Sequence, residues 1–126
     1  MSNKTSPHTT TVIPTTNDSL GSGNAIFVGF ACDDNGNPGT TATCTDSKGN
    51  TYSALQSVQA SGTGSAAGVR TALFVALNAT ALSGADTITI THGSVTASAA
   101  GALEFSGIAT SSALDKSSSS ASSGTS

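Results

Sequence analysis

Apolar residues fall along this chain in short runs with a period of two, separated by clusters of Gly, Asn, Asp and Ser. Alternation over four to eight residues is the mark of half-buried strands. The clearest run is 25–32 (AIFVGFAC), where Ile26, Val28, Phe30 and Cys32 make one apolar face and Phe27 stands on the other with Ala25 and Ala31. Apolar residues on both faces place this strand inside a sandwich, not at an exposed edge. Residues 69–77 (VRTALFVAL) predict a second strong strand, with Val69, Leu73, Val75 and Leu77 facing one way. Residues 87–91 (TITIT) alternate strictly, which turns Ile88 and Ile90 inward and the threonines outward.

Weaker runs fill in the rest. A strand over 10–16 centres on Val12 and Ile13, and Pro14 holds it to an edge because proline cannot donate to a ladder. A Thr-rich strand at 40–45 is joined to one at 51–58 (Tyr52, Leu55, Val58) by 46–50 (DSKGN), read as a hairpin turn with Gly49 available for positive φ. A long strand over 95–105 carries Val95, Leu103 and Phe105 on one face, after a turn at 92–94 (HGS). Turn residues crowd 17–24 and 33–39, 62–68 is a flexible loop, and 78–86 is a connection with room for a short helical turn. The expected organisation is a polar N-terminal arm (1–10), a β-sandwich domain (11–116) and a Ser-rich flexible tail (117–126). About seven strands with such turns predict an all-β, antiparallel β-sandwich of jelly-roll or Ig-like kind.

Composition narrows the function classes. The chain has 126 residues, enough for one domain with a modest core. Small residues (Gly, Ala, Ser, Thr) make up roughly three-fifths of it, too poor in helix formers for a bundle. The four basic residues, Lys4, Lys48, Arg70 and Lys116, are scattered in a chain of net charge −3. They form no basic stripe for a phosphate backbone, which argues against nucleic acid as a partner. No apolar run approaches membrane-spanning length, and residues 1–11 show no apolar core of a signal peptide.

Candidate chemistry is sparse. Cys32 and Cys44 are the only cysteines, and cross-strand placement makes them a candidate disulfide worth about 3 kcal/mol on chain-entropy grounds; two buried thiols are the alternative. Without spaced His or further Cys they make no zinc site. Asp33, Asn35 and Asn37 alternate as calcium ligands do, but Pro38 stands where the loop needs glycine and Cys44 where it needs glutamate, so an Asx turn is expected. The glycines at 62, 64 and 68 precede a strand, not the helix that a dinucleotide loop requires. No Gly-x-Ser-x-Gly elbow is present, and His92 is expected as a solvated turn residue. Glu104, alone among apolar neighbours, is expected to pair with Arg70. Tyr52 is the one candidate for stacking on a sugar, with a core or sheet-face role the stronger expectation. No cofactor, metal or catalytic residue is assigned.

The order of segments carries a resemblance. AIFVGFA at 25–31 is followed by T-x-T-D-S-K-G-N-T-Y at 43–52, GVRTALFVA at 68–76, DTITIT at 86–91 and ALEFSGI at 102–108. This resembles a β-sandwich domain that recurs in bacteriophage virion proteins (head-decoration and minor tail proteins) and in bacterial surface proteins. The likeness covers about residues 10–116 and is most specific in D-S-x-G-N-T-Y and E-F-S-G. In similar domains further strands follow the Ser-rich stretch, so this chain is expected to present an apolar face and an edge that the N-terminal arm or a neighbouring subunit covers. The resemblance implies a non-enzymatic structural protein of a phage particle, foremost a capsid decoration or cement protein bridging shell subunits. It implies self-association, major capsid or other virion subunits as partners, and a place on the virion surface after synthesis in the host cytoplasm. The alternatives are a minor tail or fibre module, or a surface adhesion or glycan-binding module using loops 33–39 and 62–68.

Overall fold

A computed structural model describes residues 1–15, 19–33, 41–60 and 68–120, with only the backbone of Lys4. The described residues form eight strands and no helix: β1 (Ser2–Lys4), β2 (His8–Pro14), β3 (Ala25–Asp33), β4 (Thr43–Asp46), β5 (Ser53–Ala60), β6 (Val69–Ala76), β7 (Thr87–Val95) and β8 (Ser98–Phe105). All pair antiparallel, in a five-stranded sheet of order β1-β8-β3-β6-β5 and a three-stranded sheet of order β2-β7-β4. The two inner faces share one core, so the architecture is sandwich-like. Three of the pairs, β1–β8, β2–β7 and β3–β6, join strands whose numbers sum to nine, as in a ribbon folded back on itself; β3–β8 and β4–β7 then roll that ribbon up.

β3 lies at the centre, as its two apolar faces foretold, and β2 lies at an edge with Pro14 opposite Thr87. Packing on the inner face matches large to small. Ile26 is flanked by Ala76 and Glu104, Val28 by Phe74 and Ala102, Phe30 by Ala72 and Ala100. From the facing sheet Ile88 and Ile90 enter the same core, fully buried, while the threonines between them stay partly or wholly exposed. β6 therefore sends Arg70, Ala72, Phe74 and Ala76 inward, and Val69, Leu73 and Val75 share the outer face with Phe27.

Several expectations are corrected. Residues 46–50 are no hairpin: β4 pairs with β7 and β5 with β6, so this turn carries the chain from one sheet to the other. Asp46 shapes it, its Oδ1 accepting from the amides of Lys48 (2.9 Å) and Asn50 (3.1 Å) and its Oδ2 from Asn50 Nδ2 (2.8 Å) and the Tyr52 hydroxyl (2.9 Å), while Gly49 takes φ 77°. Asn50 then clasps residue 80, accepting from the Thr80 amide (2.7 Å) and donating to its carbonyl (3.0 Å). The expected 95–105 strand is two strands in different sheets. β7 runs through His92, Gly93 and Ser94, and the chain turns at Thr96 and Ala97, whose amides donate to Asp33. Val95 consequently lies in the core while Leu103 and Phe105 face outward. The connection 78–86 holds no helical turn; Leu82 forms an isolated bridge with Leu20. The polar arm is in part a strand, β1, hydrogen-bonded to Ser98–Ala100 at the outer edge of β8.

Candidate interaction face

Most of the polar side chains that sequence reading set aside for chemistry are consumed in holding the fold. His92 is buried, not solvated. Its ring stacks on Phe30 at 5.0 Å, Nδ1 donates to the Gly93 carbonyl (2.7 Å), and Nε2 is thereby left to accept from the Thr11 hydroxyl (3.0 Å) in the neutral ring. Thr11 and Ser98 share a hydrogen bond of 2.6 Å, and Ser98 shares another of 2.6 Å with His8 Nε2, while His8 Nδ1 donates to the Ser6 carbonyl. Backbone carbonyls, not carboxylates, orient both imidazoles.

The carboxylates are likewise occupied. Glu104 and Arg70 do not pair, because their partners on β3 are Ile26 and Cys32, six residues or about 20 Å apart along the strand. Glu104 instead accepts from the Gly21 amide and from Asn24 Nδ2 (2.6 Å), and Arg70 Nη2 donates to Gln59 Oε1 (2.7 Å). Burial works to raise Asp33, but hydrogen bonds from Thr96 and Ala97 outweigh it and hold the carboxyl below its ordinary range. Asp46 is lowered in the same way, by Asn50, Tyr52 and Lys48 against its partial burial. Asp86 is held down to about 2 by the Ser83 amide first and the Ser47 hydroxyl second. No group of three or more His, Cys, Asp or Glu among the described residues is arranged to hold a metal; Asn35 and Asn37 of the calcium comparison, and loop residues 62–67, lie outside those residues.

The candidate disulfide is not formed. Cys32 and Cys44 are thiols, and they lie on β3 and β4 of opposite sheets, not on neighbouring strands of one sheet. Both are buried thiols on the core side, and burial, with Asp46 adding to it, pushes Cys44 up to about 12. Tyr52 is half-buried against the core, and burial together with its bond to Asp46 raises its hydroxyl pKa. It packs against the core, the stronger of its two expected roles.

What remains open is the outer face of the five-stranded sheet. Pairing sets its side chains in rows: Phe105 beside Ala25; Leu103, Phe27 and Val75; Gly101, Gly29 and Leu73; Ala99, Ala31 and Thr71. Leu103 is 66% exposed, Val69 49%, Phe105 46% and Leu73 38%. Phe27 and Phe105 meet edge to face at 5.4 Å, so the bulky residues form one ridge. After β8 the chain returns across this face as a strap that reaches β5, where the Ser117 hydroxyl donates to the Leu55 carbonyl (3.5 Å). Leu55 is the extra residue of a bulge in β5. Between strap and sheet lies an open cavity of about 500 Å³ lined by Phe27, Leu55, Val75, Leu77, Ile108 and Leu114, among others, and by no charged side chain.

Gly29 and Gly101 are the residues that sequence reading passed over. They sit opposite one another on central strands, neither at positive φ, and an added Cβ at either would meet nothing within 4 Å. Nothing among the described residues requires glycine there. The available signal was period-two spacing: Gly29 lies two residues from Phe27 and Gly101 two from Leu103, so each shares the face of a bulky neighbour. No protein-family model, curated protein or solved structure matches the chain.

Proposed function

We propose that this chain is a structural, non-enzymatic module of a phage particle, foremost a capsid decoration or cement protein that bridges neighbouring subunits of the shell. The observation that carries this reading is the outer face of the five-stranded sheet. Residues on the central strands of a sheet are left apolar and open there, which costs solubility unless a neighbour covers them. Polar clusters elsewhere close on themselves, so the apolar face is the most conspicuous feature left to be used. We further propose a jelly-roll as the finer fold. A rolled eight-strand ribbon pairs 1 with 8, 2 with 7, 3 with 6, then 3 with 8 and 4 with 7, and those five pairings are present. The departure is β5, which pairs with β6 instead of β4. Jelly-rolls recur in viral shells and in lectins, so this supports the reading by analogy of fold. Self-association and contact with major capsid or other virion subunits follow as the proposed partnerships, at the virion surface. Many weak contacts repeated by symmetry would hold such a module in place.

The test is decoration of particles that lack the protein. Purified chain added to such shells should bind saturably, in a fixed copy number set by the lattice, and sediment with them. Absence of binding, or uptake without a plateau, refutes the assignment.

A further inference from the structure

We infer that the outer face of the five-stranded sheet is a two-fold interface with a second copy of this chain, in which Phe105, Leu103 and Phe27 of each copy seat on Ala99, Gly101 and Gly29 of the other. The inference rests on the reading of the chain as an assembly module and names what covers its open face.

The sequence of residue sizes along the two central strands carries the argument. On β8 the outward positions run Phe105, Leu103, Gly101, Ala99: large, large, small, small. On β3 they run Ala25, Phe27, Gly29, Ala31, with the one large side chain beside Leu103. A two-fold axis in the interface plane, crossing the strands where Val28 pairs with Ala102, exchanges these positions. It sets Phe105 over Ala99, Leu103 over Gly101 and Phe27 over Gly29, each contact recurring by symmetry, while on β6 it brings Leu73 against Val75, an apolar pair with no knob or hole. An isologous interface needs such self-complementarity, a knob and its hole on one surface. The two glycines gain a role here that the fold does not give them, since bare backbone lets the partner's side chains reach the sheet.

Charge and area agree. Among outward positions of β3, β6 and β8 the only charged side chain is Asp33, whose row falls outside the overlap that this axis produces, so these strands oppose no like charges. Three strands spaced ~4.8 Å and about eight residues long at ~3.3 Å each present ~370 Å² in projection. Even with the strap's exposed Ile108 and Leu114 added, the pair falls among weak, transient interfaces of less than ~1,200 Å². The rim, with Thr71, Gln56 and Ser53, is polar, as interface rims are. An interface of this size is weak in isolation and gains strength where copies are held together on a lattice.

Sedimentation equilibrium from ~5 µM to ~500 µM spans the dissociation constants expected of so small an interface. The wild-type chain should approach twice its 12.1 kDa mass at the upper end. Gly101→Gln and Leu103→Glu should each weaken the dimer by about tenfold or more. Gly101→Gln tests the idea most cleanly, because its Cβ meets nothing inside the chain, and circular dichroism should show it folded as the wild type. A wild-type chain that stays monomeric throughout, or a dimer that both folded variants leave intact, overturns the inference. Particle binding is scored separately: a monomer that decorates shells sinks only the second copy. A dimer broken by both variants that binds no shell upholds the interface and sinks the particle assignment.

Discussion

The two faces of the five-stranded sheet are built from the same strands and meet opposite fates. On the inner face Ile26, Val28, Phe30 and Phe74 are buried, each beside at least one alanine, under Ile88 and Ile90 from the other sheet. On the outer face Phe27, Leu73, Leu103 and Phe105 are about as apolar, yet among the described residues only the strap crosses them, and it shelters Val75 while leaving Leu103 and Phe105 open. Hydrophobicity alone does not tell these faces apart. What distinguishes them is whether this chain supplies a layer of matching shape. The inner face records a problem that the fold solves, and the outer face one that it leaves to a neighbour.

The largest effects should separate the two faces directly. Ile26→Ala removes a side chain with no exposure and should cost about 2–5 kcal/mol in denaturant unfolding, the range for large-to-small changes in a core. Leu103→Ala, in dilute protein, should cost less than about 1 kcal/mol, since most of that side chain is already in water. Equal costs would break the comparison, showing that the outer face is covered within the single chain. A Leu103→Ala cost that grows with protein concentration would sharpen it, because a second copy then adds the missing layer.

How much of this was legible follows the range of the interactions. The central strand β3, the edge strand β2 with its proline, and the inward isoleucines of 87–91 were readable because period-two patterning and a missing amide donor are local properties. The turn at 46–50 was read as a hairpin because Asp46 and Gly49 would shape a hairpin and a sheet-to-sheet corner alike; the choice of β7 as partner for β4 is made 40 residues downstream, around residues 88–91. His92 and Gly93 looked like punctuation, yet Thr11 and Phe30 hold the imidazole inside the core, and those partners come from two other strands. On β6 the more apolar set of residues went outward. Phe30 and Ile26 needed Ala72 and Ala76 beside them, and that register carried Arg70 inward too.

An intermediate effect should appear in acid, at the corner where the sheets are joined. Asp86 sits under this corner, accepting from the Ser47 hydroxyl (2.7 Å) and the Ser83 amide (2.8 Å), with Lys48 at 3.5 Å. Its folded pKa of about 2 lies below the unfolded value of ~3.9. A depressed carboxyl contributes stability that is fully present above the unfolded value and is lost as pH falls through the folded one, so the loss should fall between about pH 4 and pH 2. Asp46 and Asp33, lowered by their own hydrogen bonds, add to it with the same sign. Asp86→Asn should flatten the profile of unfolding midpoint against pH in that window. A variant profile as steep as the wild type would place the acid sensitivity elsewhere. The outward positions of β3, β6 and β8 carry no titrating group beyond Asp33, so Leu103→Ala should leave the profile's shape unchanged.

The smallest effect is the most discriminating, because its sign differs between the faces. Added atoms on the inner face meet a filled core and should destabilise. At Gly29 and Gly101 an added methyl meets nothing within 4 Å, and the backbone is not in the left-handed region. Alanine there removes the entropy that glycine loses on folding, so Gly101→Ala should stabilise the monomer by about 0.5–1 kcal/mol in dilute denaturant unfolding. The same methyl narrows the hollow that receives Leu103 of a second copy, and dimerisation should weaken as monomer stability rises. Opposite signs from one methyl group would mean that the glycines serve association at the expense of the fold. If both quantities rise together, the hollow is not where the partner's side chain sits.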